Sequence, residues 1–308
     1  MEDIFKTSFI NFLQTLNVDF VEYENVFSFK ERNFGIVLIY AMQCSNEINN
    51  KLITCNIDLL YLYEDRWWHS KELVQERIMT RIGRFTSIFA RKCTILNGGE
   101  FLNLKGNNCS VLDLVQHFLE KYHTYGDAKS KYKYALIYNN EVVAVASFSQ
   151  YRPMRRSVNN PFANIPKENV SSDIVMIKSY EWVRYASLPN IRVVGGMGKL
   201  LKAFITEIKN GDIEQVEVMT YSDNEWSAGT VYEKLGFTFV GEKSKVLYYV
   251  NRNSYKRLSE RKLLTEYNSL NKQITEEKIE KVAQLPQSFL SNYYKIYNMG
   301  SRKFLMKE

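Results

Sequence analysis

Apolar residues recur along the chain at two periods, and these periods predict alternating helices and strands. Near the N-terminus Phe5, Phe9 and Phe12 would share one face of an amphipathic helix. Two continuous apolar runs follow, GIVLIYAM at Gly35–Met42 and NIDLLYLY at Asn56–Tyr63. Runs of this kind are typical of strands that are buried on both faces. The first part of the chain is therefore predicted to be a small α/β unit.

The middle of the chain continues this alternation. A helix is predicted from about Ser70 to Gly83, and a second helix over the segment VLDLVQHFLEKYH. Tyr132–Phe148 reads as a hairpin because alternating apolar residues flank Asn139-Asn140, a pair that tolerates positive φ. Residues 151–173 hold three of the five prolines and predict a polar, basic loop of the kind that often binds substrate.

Glycines then mark the passage from a strand to a helix in VVGGMGKLLKAFI. The strand or strand pair at Ile174–Ser187 leads into Gly195, Gly196 and Gly198, which have no Cβ and so allow a tight turn. Backbone amides converging at a helix N-terminus suit a phosphate or a diphosphate. A purely structural turn is the alternative, because a bare glycine turn is a weak signal.

The chain beyond this turn has a second strand and a second short helix. Asn210-Gly211 is predicted to end the first helix, a strand follows over Val216–Thr220, and the second helix ends at Gly236. Val246–Val250 is predicted to be a closing strand. Beyond it, Ile274–Leu285 is predicted to be a charged helix and the tail from Ser288 to be strand-like.

This order of strand, glycine turn, helix, strand and helix resembles the core of the GNAT acyltransferases. Gly196 and Gly198 take the small positions of that family's loop Arg/Gln-x-x-Gly-x-Gly/Ala, although Val193 stands at its Arg/Gln position. The residues that match the family's later motif are Ala228, Tyr232, Gly236 and Phe237. Glu225 stands where that motif usually opens with Asn.

The resemblance implies a mixed-sheet fold and an acyl-CoA cofactor, acetyl-CoA or another. The residues whose amides would hold the diphosphate are Gly195, Gly196, Met197, Gly198 and Lys199. It also implies that Tyr232 protonates the leaving thiolate and that Glu181 is the base for an attacking amine. Alternatively, Tyr232 packs on the sheet and Glu181 pairs with an arginine. Glu181 and Arg184 would face opposite sides of one strand unless a bulge intervenes.

A second resemblance, to phage homing-endonuclease-like proteins with a Vsr-like nuclease core, covers most of the chain. Its segments are LLYLYEDRWWHSKELVQERI, IFARKC, YALIYNNEVVAVASF, YEWVRYAS, GGMGKLLKAF, YSDNEWSAGTVYEKLGF and YYKIYNMGSRKF. In that family the first buried strand carries a catalytic carboxylate, and here the corresponding residue is Ile39. The resemblance therefore implies a degenerate nuclease unit that serves as a scaffold.

The remaining acidic residues do not rebuild a nuclease site. A metal-dependent nuclease needs carboxylates that converge on its metal ions. The candidates are Asp19, Glu47, Asp58, Glu64 and Asp65, and they lack the expected spacing. The chain has three histidines and no H-x-x-x-H spacing of the kind that binds metals, so no metal is expected.

Charge and cysteine content bear on the partners. The net charge of +7 and the pI near 9.0 favour an anionic partner, DNA above all. The residues predicted to bind nucleic acid are Arg155, Arg156, Arg252, Lys256, Arg257 and Arg261, with a solvated charged face as the alternative. The four cysteines show no paired spacing and are interpreted as reduced thiols. With no signal peptide or membrane span in the sequence, a cytoplasmic location is expected, in an infected host cell if the protein is phage-encoded.

Three ranges are predicted as domains: 1–90 as a degenerate endonuclease-like α/β domain, 91–262 as a GNAT-like domain, and 263–308 as a helix and strand extension. Three functions stay open at this point. The protein is an acyl-CoA-type transferase that acts on or near DNA, a homing-endonuclease relative that binds or cleaves DNA, or a non-catalytic accessory protein with a phage or host protein partner. Only the first needs CoA.

Overall fold

A computed structural model describes residues 3–29, 33–42, 57–104, 106–157, 174–209, 216–271 and 279–308. The chain divides into two compact units whose segments alternate along the sequence. The first unit comprises Met1–Gln75, Ser222–Ala228 and Glu242–Ser301, and the second comprises Glu76–Tyr221, Gly229–Gly241 and Arg302–Glu308. Neither unit is one continuous segment, so the division differs from the three consecutive ranges that the sequence predicted.

The helices agree with the helical periods of the sequence in most places. They are α1 (Ile4–Thr15), α2 (Glu64–His69), α3 (Lys71–Arg81), α4 (Val111–Tyr122), α5 (Gly196–Lys209), α6 (Thr230–Lys234), α7 (Glu260–Leu270) and α8 (Gln287–Leu290). The predicted charged helix at 274–285 is described only in part, and that part holds a short 3-10 turn, Val282–Gln284. The predicted helix stop at Asn210-Gly211, most of the loop 151–173, and Cys44, Glu47 and Cys55 lie outside the described residues.

The described strands are distributed over both units. In chain order they are β1 (Val21–Tyr23), β2 (Val26–Phe29), β3 (Phe34–Ile39), β4 (Asp58–Tyr63), β5 (Thr86–Phe89), β6 (Thr94–Asn97), β7 (Phe101–Leu104), β8 (Asn107–Ser110), β9 (Tyr132–Tyr138), β10 (Glu141–Phe148), β11 (Arg152–Ser157), β12 (Ile174–Ser187), β13 (Ile191–Val194), β14 (Val216–Asp223), β15 (Thr238–Lys243), β16 (Leu247–Asn251), β17 (Arg257–Ser259), β18 (Tyr293–Tyr297) and β19 (Ser301–Lys307).

The first unit contains a four-stranded sheet in the order β1-β2-β3-β4, in which β3 and β4 are parallel. Aromatic side chains of α1 cover it: Phe5 and Phe9 are buried and contact the buried Trp67 ring. A three-stranded sheet, β17-β16-β18, belongs to the same unit. The strand predicted at Val246–Val250 is β16, and it lies in this small sheet.

The second unit is built on an eight-stranded mixed sheet in the order β15-β19-β14-β12-β10-β9-β6, with β11 paired to β12. Helix α5 covers one face through Leu200, Phe204 and Ile208, and α4 covers the other through Val111 and Val115. The sequence prediction of a mixed α/β sheet is confirmed. The predicted hairpin is also present, since β9 and β10 pair antiparallel around two asparagines with φ of 49° and 61°.

The last strand of the chain enters the interior of this sheet. β19 lies between β14 and β15, and its central residues Phe304, Leu305 and Met306 are buried. The tail from Ser288 was predicted as strand-like, and it contains α8 before β18 and β19. Among the described residues, no helix combines the length and the apolar character needed to cross a membrane.

Candidate functional site

Strands β12 and β14 run parallel for only a short distance. Their register extends from Lys178 with Val216 to Glu181 with Met219. On its other side β12 pairs with β10, where Phe148 is opposite Trp182 and Ser147 is opposite Arg184. This leaves one extra residue on β12 and forms a β-bulge, which bends a strand and increases its local twist. Beyond the bulge, β12 keeps its pairing with β10, whereas its parallel register with β14 ends at Glu181 and Met219. We call this stretch, where the described residues of β12 and β14 are no longer paired, the opening between the two strands.

The glycine turn follows the end of β13. Gly195 has φ of +76°, a conformation that glycine adopts without strain, and α5 begins at the next residue. A Cβ on Gly196 would lie 2.9 Å from Cγ1 of Val193, and one on Gly198 would lie 3.3 Å from Cδ2 of Leu235. Close packing therefore leaves no room for a Cβ at Gly196 unless Val193 moves, whereas a Cβ at Gly198 would need only a small shift of Leu235.

The first turn of α5 presents open hydrogen-bond donors. Within the described parts of the chain, the backbone N–H groups of Gly196, Met197 and Gly198 have no acceptor. The first N–H groups of a helix lack an intrahelical partner, and the helix dipole places partial positive charge there. A 14-residue helix with this open end can bind an anion such as a diphosphate.

Lys199 is used differently from its predicted role. Its backbone N–H donates to the carbonyl of Gly195 at 3.0 Å. Its ammonium group donates to the carbonyl of Ala90 at 2.9 Å and to the carbonyl of Cys93. The side chain thus ties the start of α5 to the segment after β5, and the backbone N–H of Lys199 is already used within the turn.

Tyr232 lies beside the point where β12 and β14 part. Its ring packs against Trp182, Phe237 and Phe304 with centroid distances of 6.0, 5.8 and 5.4 Å. Its phenol is hydrogen-bonded to Thr220, whose hydroxyl donates to the carbonyl of Trp182 at 3.3 Å. Burial raises the pKa of the Tyr232 phenol, and the hydrogen bond with Thr220 opposes that shift. The phenol is therefore protonated at neutral pH.

Glu181 lies on β12 next to the bulge. Its side chain is 25% exposed, and its carboxylate is 3.9 Å from the guanidinium of Arg152. Its backbone N–H donates to Oγ of Ser149 at 2.9 Å. Because successive residues of a strand face opposite sides, its carboxylate leaves the sheet on the face opposite Trp182, the ring that Tyr232 contacts. The structure therefore places the two predicted catalytic residues on different faces, with the opening between them.

The bulge also determines where Arg184 lies. Its Nε donates to the carbonyl of Gly126 at 3.2 Å, and its guanidinium lies 5.9 Å from the Tyr125 ring centroid. Burial lowers the pKa of Arg184, and the charge of Glu181 opposes this shift. The Arg184 side chain is therefore held by the segment that contains Tyr125 and Gly126.

Two residues near the site were not predicted from the sequence. Thr220 links Tyr232 to the Trp182 carbonyl, as described above. The Tyr185 hydroxyl lies 3.3 Å from the position that a Cβ on Gly196 would occupy, and burial raises its pKa. The sequence held no signal for Tyr185, because the bulge shifts the alternation of β12 before this residue.

Two of the six residues predicted to bind nucleic acid are buried in ion pairs. Arg156 is fully buried, and its Nε and Nη2 donate to Glu217 at 2.8 and 2.7 Å. The Arg257 side chain is 3% exposed and donates to both oxygens of Asp65 at 2.8 Å and to Glu225 at 2.7 Å. Because these guanidinium groups already bind carboxylates in the interior, the prediction that they contact nucleic acid is wrong.

The other four lie nearer the surface. Arg155 is partly buried on β11. Arg252 is exposed and stacks on the Tyr294 ring at 4.0 Å, and Lys256 is exposed with its ammonium 3.8 Å from Glu266. Arg261 is exposed on α7. The structure therefore leaves Arg252, Lys256 and Arg261 as the surface cations of the predicted set.

The candidate nuclease carboxylates of the first unit do not converge on one point. Asp65 binds Arg257, and Oε2 of Glu64 accepts from the backbone N–H of Ala41 at 3.1 Å. Asp58 is exposed at the start of β4. Across the described ranges, no three His, Cys, Asp or Glu residues are grouped so that they could hold a metal ion.

Comparisons with known proteins give matches among solved structures. No family model matches the chain, and no curated protein matches it significantly. A GNAT family acetyltransferase from Elizabethkingia anophelis with acetyl-CoA bound is 16% identical, with a TM-score of 0.29 over 70% of this chain and 99% of that one. An acetyltransferase from Bacillus subtilis in complex with CoA is 13% identical, with a TM-score of 0.30 over 70% and 99%. An IAA acetyltransferase from Bacillus cereus is 12% identical, with a TM-score of 0.30 over 70% and 100%. At these identities and TM-scores the matches assign no role to any residue of this chain, so residue roles depend on the geometry described above.

Proposed function

We propose that the second unit binds an acyl-CoA and transfers the acyl group to an amine. The observation that carries this proposal is the opening between β12 and β14 at the bulge, together with the open N–H groups at the start of α5. An anion site beside an opening in a sheet suits a long ligand that has an anionic part and a reactive end. The resemblance of the glycine turn, and of the motif that contains Tyr232, to the GNAT acyltransferases supports the same function.

The residues of the glycine turn fit the diphosphate of this cofactor. The amides of Gly196, Met197 and Gly198 would hold it, because they are unpaired donors at the positive end of α5. The cofactor supplies an acyl group activated as a thioester.

Tyr232 is proposed as the proton donor to the leaving sulfur. Its phenol is held by Thr220 at the point where the strands part, and its raised pKa keeps the proton on Oη at neutral pH. A hydrogen bond from a fixed phenol stabilises negative charge that develops on sulfur as the carbon–sulfur bond breaks. Donating this bond requires no conformational change of the ring.

Glu181 is proposed as the acceptor of the amine proton. Its partly exposed carboxylate leaves the face of β12 opposite Tyr232, so the amine would approach from that face while the carbon–nitrogen bond forms. The Arg152 guanidinium lies 3.9 Å from this carboxylate. The acid and the base would then act from opposite sides of the same opening.

The endonuclease alternative has no support in the structure. Asp65 and Glu64 bind groups of the first unit. A phage origin, a protein partner and a location in the cytoplasm stay predictions from the sequence. The non-catalytic alternative differs from the proposal in one measurable property, the binding of acyl-CoA.

The proposal is tested by calorimetric titration of acetyl-CoA into the wild type and into Met197→Asp. An aspartate in the first turn of α5 favours the helix but competes with a diphosphate for the same amides. We expect saturable binding by the wild type and at least tenfold weaker binding by the variant, with little change in melting temperature. Gly198→Trp is a poorer probe, because a side chain at this position meets Leu235.

The matched control is Met176→Asp, the same substitution at an exposed methionine on β12. It should bind acetyl-CoA as the wild type does. Absence of binding by the wild type at about 1 mM acetyl-CoA would contradict the proposal. Equal binding by Met197→Asp and the wild type would contradict the assignment of the diphosphate to α5.

A further inference from the structure

We propose that the first unit carries a binding surface for single-stranded nucleic acid, a function separate from the acyl transfer proposed for the second unit. The surface is a stripe in which two cations flank three aromatic rings. Its residues are Lys71, Trp68, Tyr255, Tyr294 and Arg252, and we call it the cation–aromatic stripe.

Direct contacts connect the members of the stripe. The Lys71 ammonium lies 5.3 Å from the Trp68 ring centroid, and the Trp68 and Tyr255 rings are 6.3 Å apart. Tyr255 and Tyr294 both pack against the buried cluster of Tyr63, Val250 and Ile296. The Arg252 guanidinium stacks on Tyr294 at 4.0 Å. The three rings are each partly exposed, so one side of each is packed while the remainder faces solvent.

The chain holds Tyr255 in an unfavourable backbone conformation. Its φ is +55°, in the left-handed region that non-glycine residues rarely adopt. The turn that carries it is fixed by hydrogen bonds: Oδ1 of Asn251 accepts from the N–H groups of Asn253 and Ser254 at 3.0 Å, and the Tyr255 N–H donates to the Asn251 carbonyl at 2.9 Å. Asparagine or glycine would adopt this φ at less cost. A tyrosine kept there places a ring beside Trp68, and such strained positions cluster at functional sites.

The cations of the stripe are available to an anionic partner. Among the described residues, neither Arg252 nor Lys71 forms an ion pair. Lys71 donates to the Ser8 hydroxyl at 3.2 Å, and Arg252 is exposed. Glu64, whose charge acts on Tyr255, accepts from the backbone N–H of Ala41. The stripe therefore has positive charge at both ends that no carboxylate of its own neutralises.

Single strands fit this pattern better than duplexes or acidic peptides do. Proteins that bind single strands combine cations that contact the phosphates with aromatic rings on which bases stack. A duplex keeps its bases stacked inside and offers none to Trp68 or Tyr255. An acidic peptide would use the cations but would leave the exposed parts of the rings without a partner. The net charge of +7 adds long-range attraction for any polyanion.

The test is fluorescence anisotropy with the full-length protein and labelled 15-mers, one of dT, one of U and one a mixed-sequence duplex. We expect both single strands to bind more tightly than the duplex, and the two single-strand probes distinguish DNA from RNA. Tyr255→Asn removes the ring but suits the positive φ, so it should fold and bind at least about fivefold more weakly. Arg252→Gln should reduce the slope of log K against log salt concentration by about 0.7.

The matched control is Arg91→Gln, which removes the same charge from an exposed arginine that lies 5.1 Å from the Phe89 ring in the second unit. It should bind as the wild type does. Duplex binding as tight as single-strand binding, or equal binding by Tyr255→Asn and the wild type, would overturn the proposal. Competition by a poly-glutamate peptide at matched charge would show that the stripe recognises charge alone, and would overturn it as well.

Discussion

The phenol of Tyr232 is held by Thr220, and Thr220 is held by the Trp182 carbonyl at the end of the parallel pairing of β12 and β14. In this arrangement the ring packs on the core while its hydroxyl contacts Thr220. The two interpretations of Tyr232 from the sequence, packing and proton donation, are therefore compatible, since they use different parts of one side chain.

Removing only this hydroxyl tests its chemical role. We expect Tyr232→Phe to retain the fold and the affinity for acetyl-CoA, because the contacts of the ring with Trp182, Phe237 and Phe304 persist. The rate constant kcat for acetyl transfer to an amine acceptor should fall about 100-fold or more, as expected for loss of a positioned acid. Steady-state kinetics separate kcat from KM, and an unchanged kcat would assign Tyr232 to packing alone.

The buried arginines show how a residue type can be interpreted wrongly from sequence. Arg156 and Arg257 were predicted as surface cations because they stand in basic stretches. Their partners, Glu217, Asp65 and Glu225, are 32 to 192 positions away in the chain, and no local pattern indicates such pairs. A buried charge must be paired. The partner was therefore decided by tertiary packing.

At the scale of elements, the turn before α5 depends on the backbone of Gly195. Its φ of +76° is costly for alanine, although the space for a Cβ is open, with Ala90 Cβ at 3.8 Å. We expect Gly195→Ala to lower the free energy of unfolding by about 1 kcal/mol and to weaken acetyl-CoA binding, because the amides of α5 would be reoriented. Chemical denaturation and calorimetry measure the two effects.

Gly195→Asn is the control for this substitution. Asparagine tolerates positive φ better than alanine does, so it should recover part of the lost stability. A Gly195→Ala variant that is as stable as the wild type would show that the positive φ is not required at this turn.

At the scale of the whole molecule, the end of the chain completes the sheet of the second unit. β19 lies between β14 and β15, and each of its three buried side chains contributes roughly 1.5–3 kcal/mol. Their sum is comparable with the total stability of a typical domain, roughly 5–15 kcal/mol. A chain ending at Ser301 should therefore lose the fold of the second unit.

Hydrogen exchange of the β9–β10 hairpin measures this loss. Deletion of Lys307 and Glu308 alone is the control, because both are exposed and the three buried residues stay. Native-like protection in the chain that ends at Ser301 would show that β19 is dispensable, as an appended extension would be.

The sequence by itself determined the local elements and their type. Apolar periods predicted α1, α4, α5 and the β9–β10 hairpin, because helix and strand repeats and turn residues act within a few positions. The glycine turn and the Tyr232 motif were also visible, since both are short. Only the tertiary structure decided that β19 enters the sheet and that each of the two units is built from separate segments of the chain. It also decided that β12 has a bulge where its pairing with β14 ends, and that two arginines are buried in ion pairs with distant carboxylates. These features depend on contacts between residues far apart in sequence, and such contacts leave no periodic pattern.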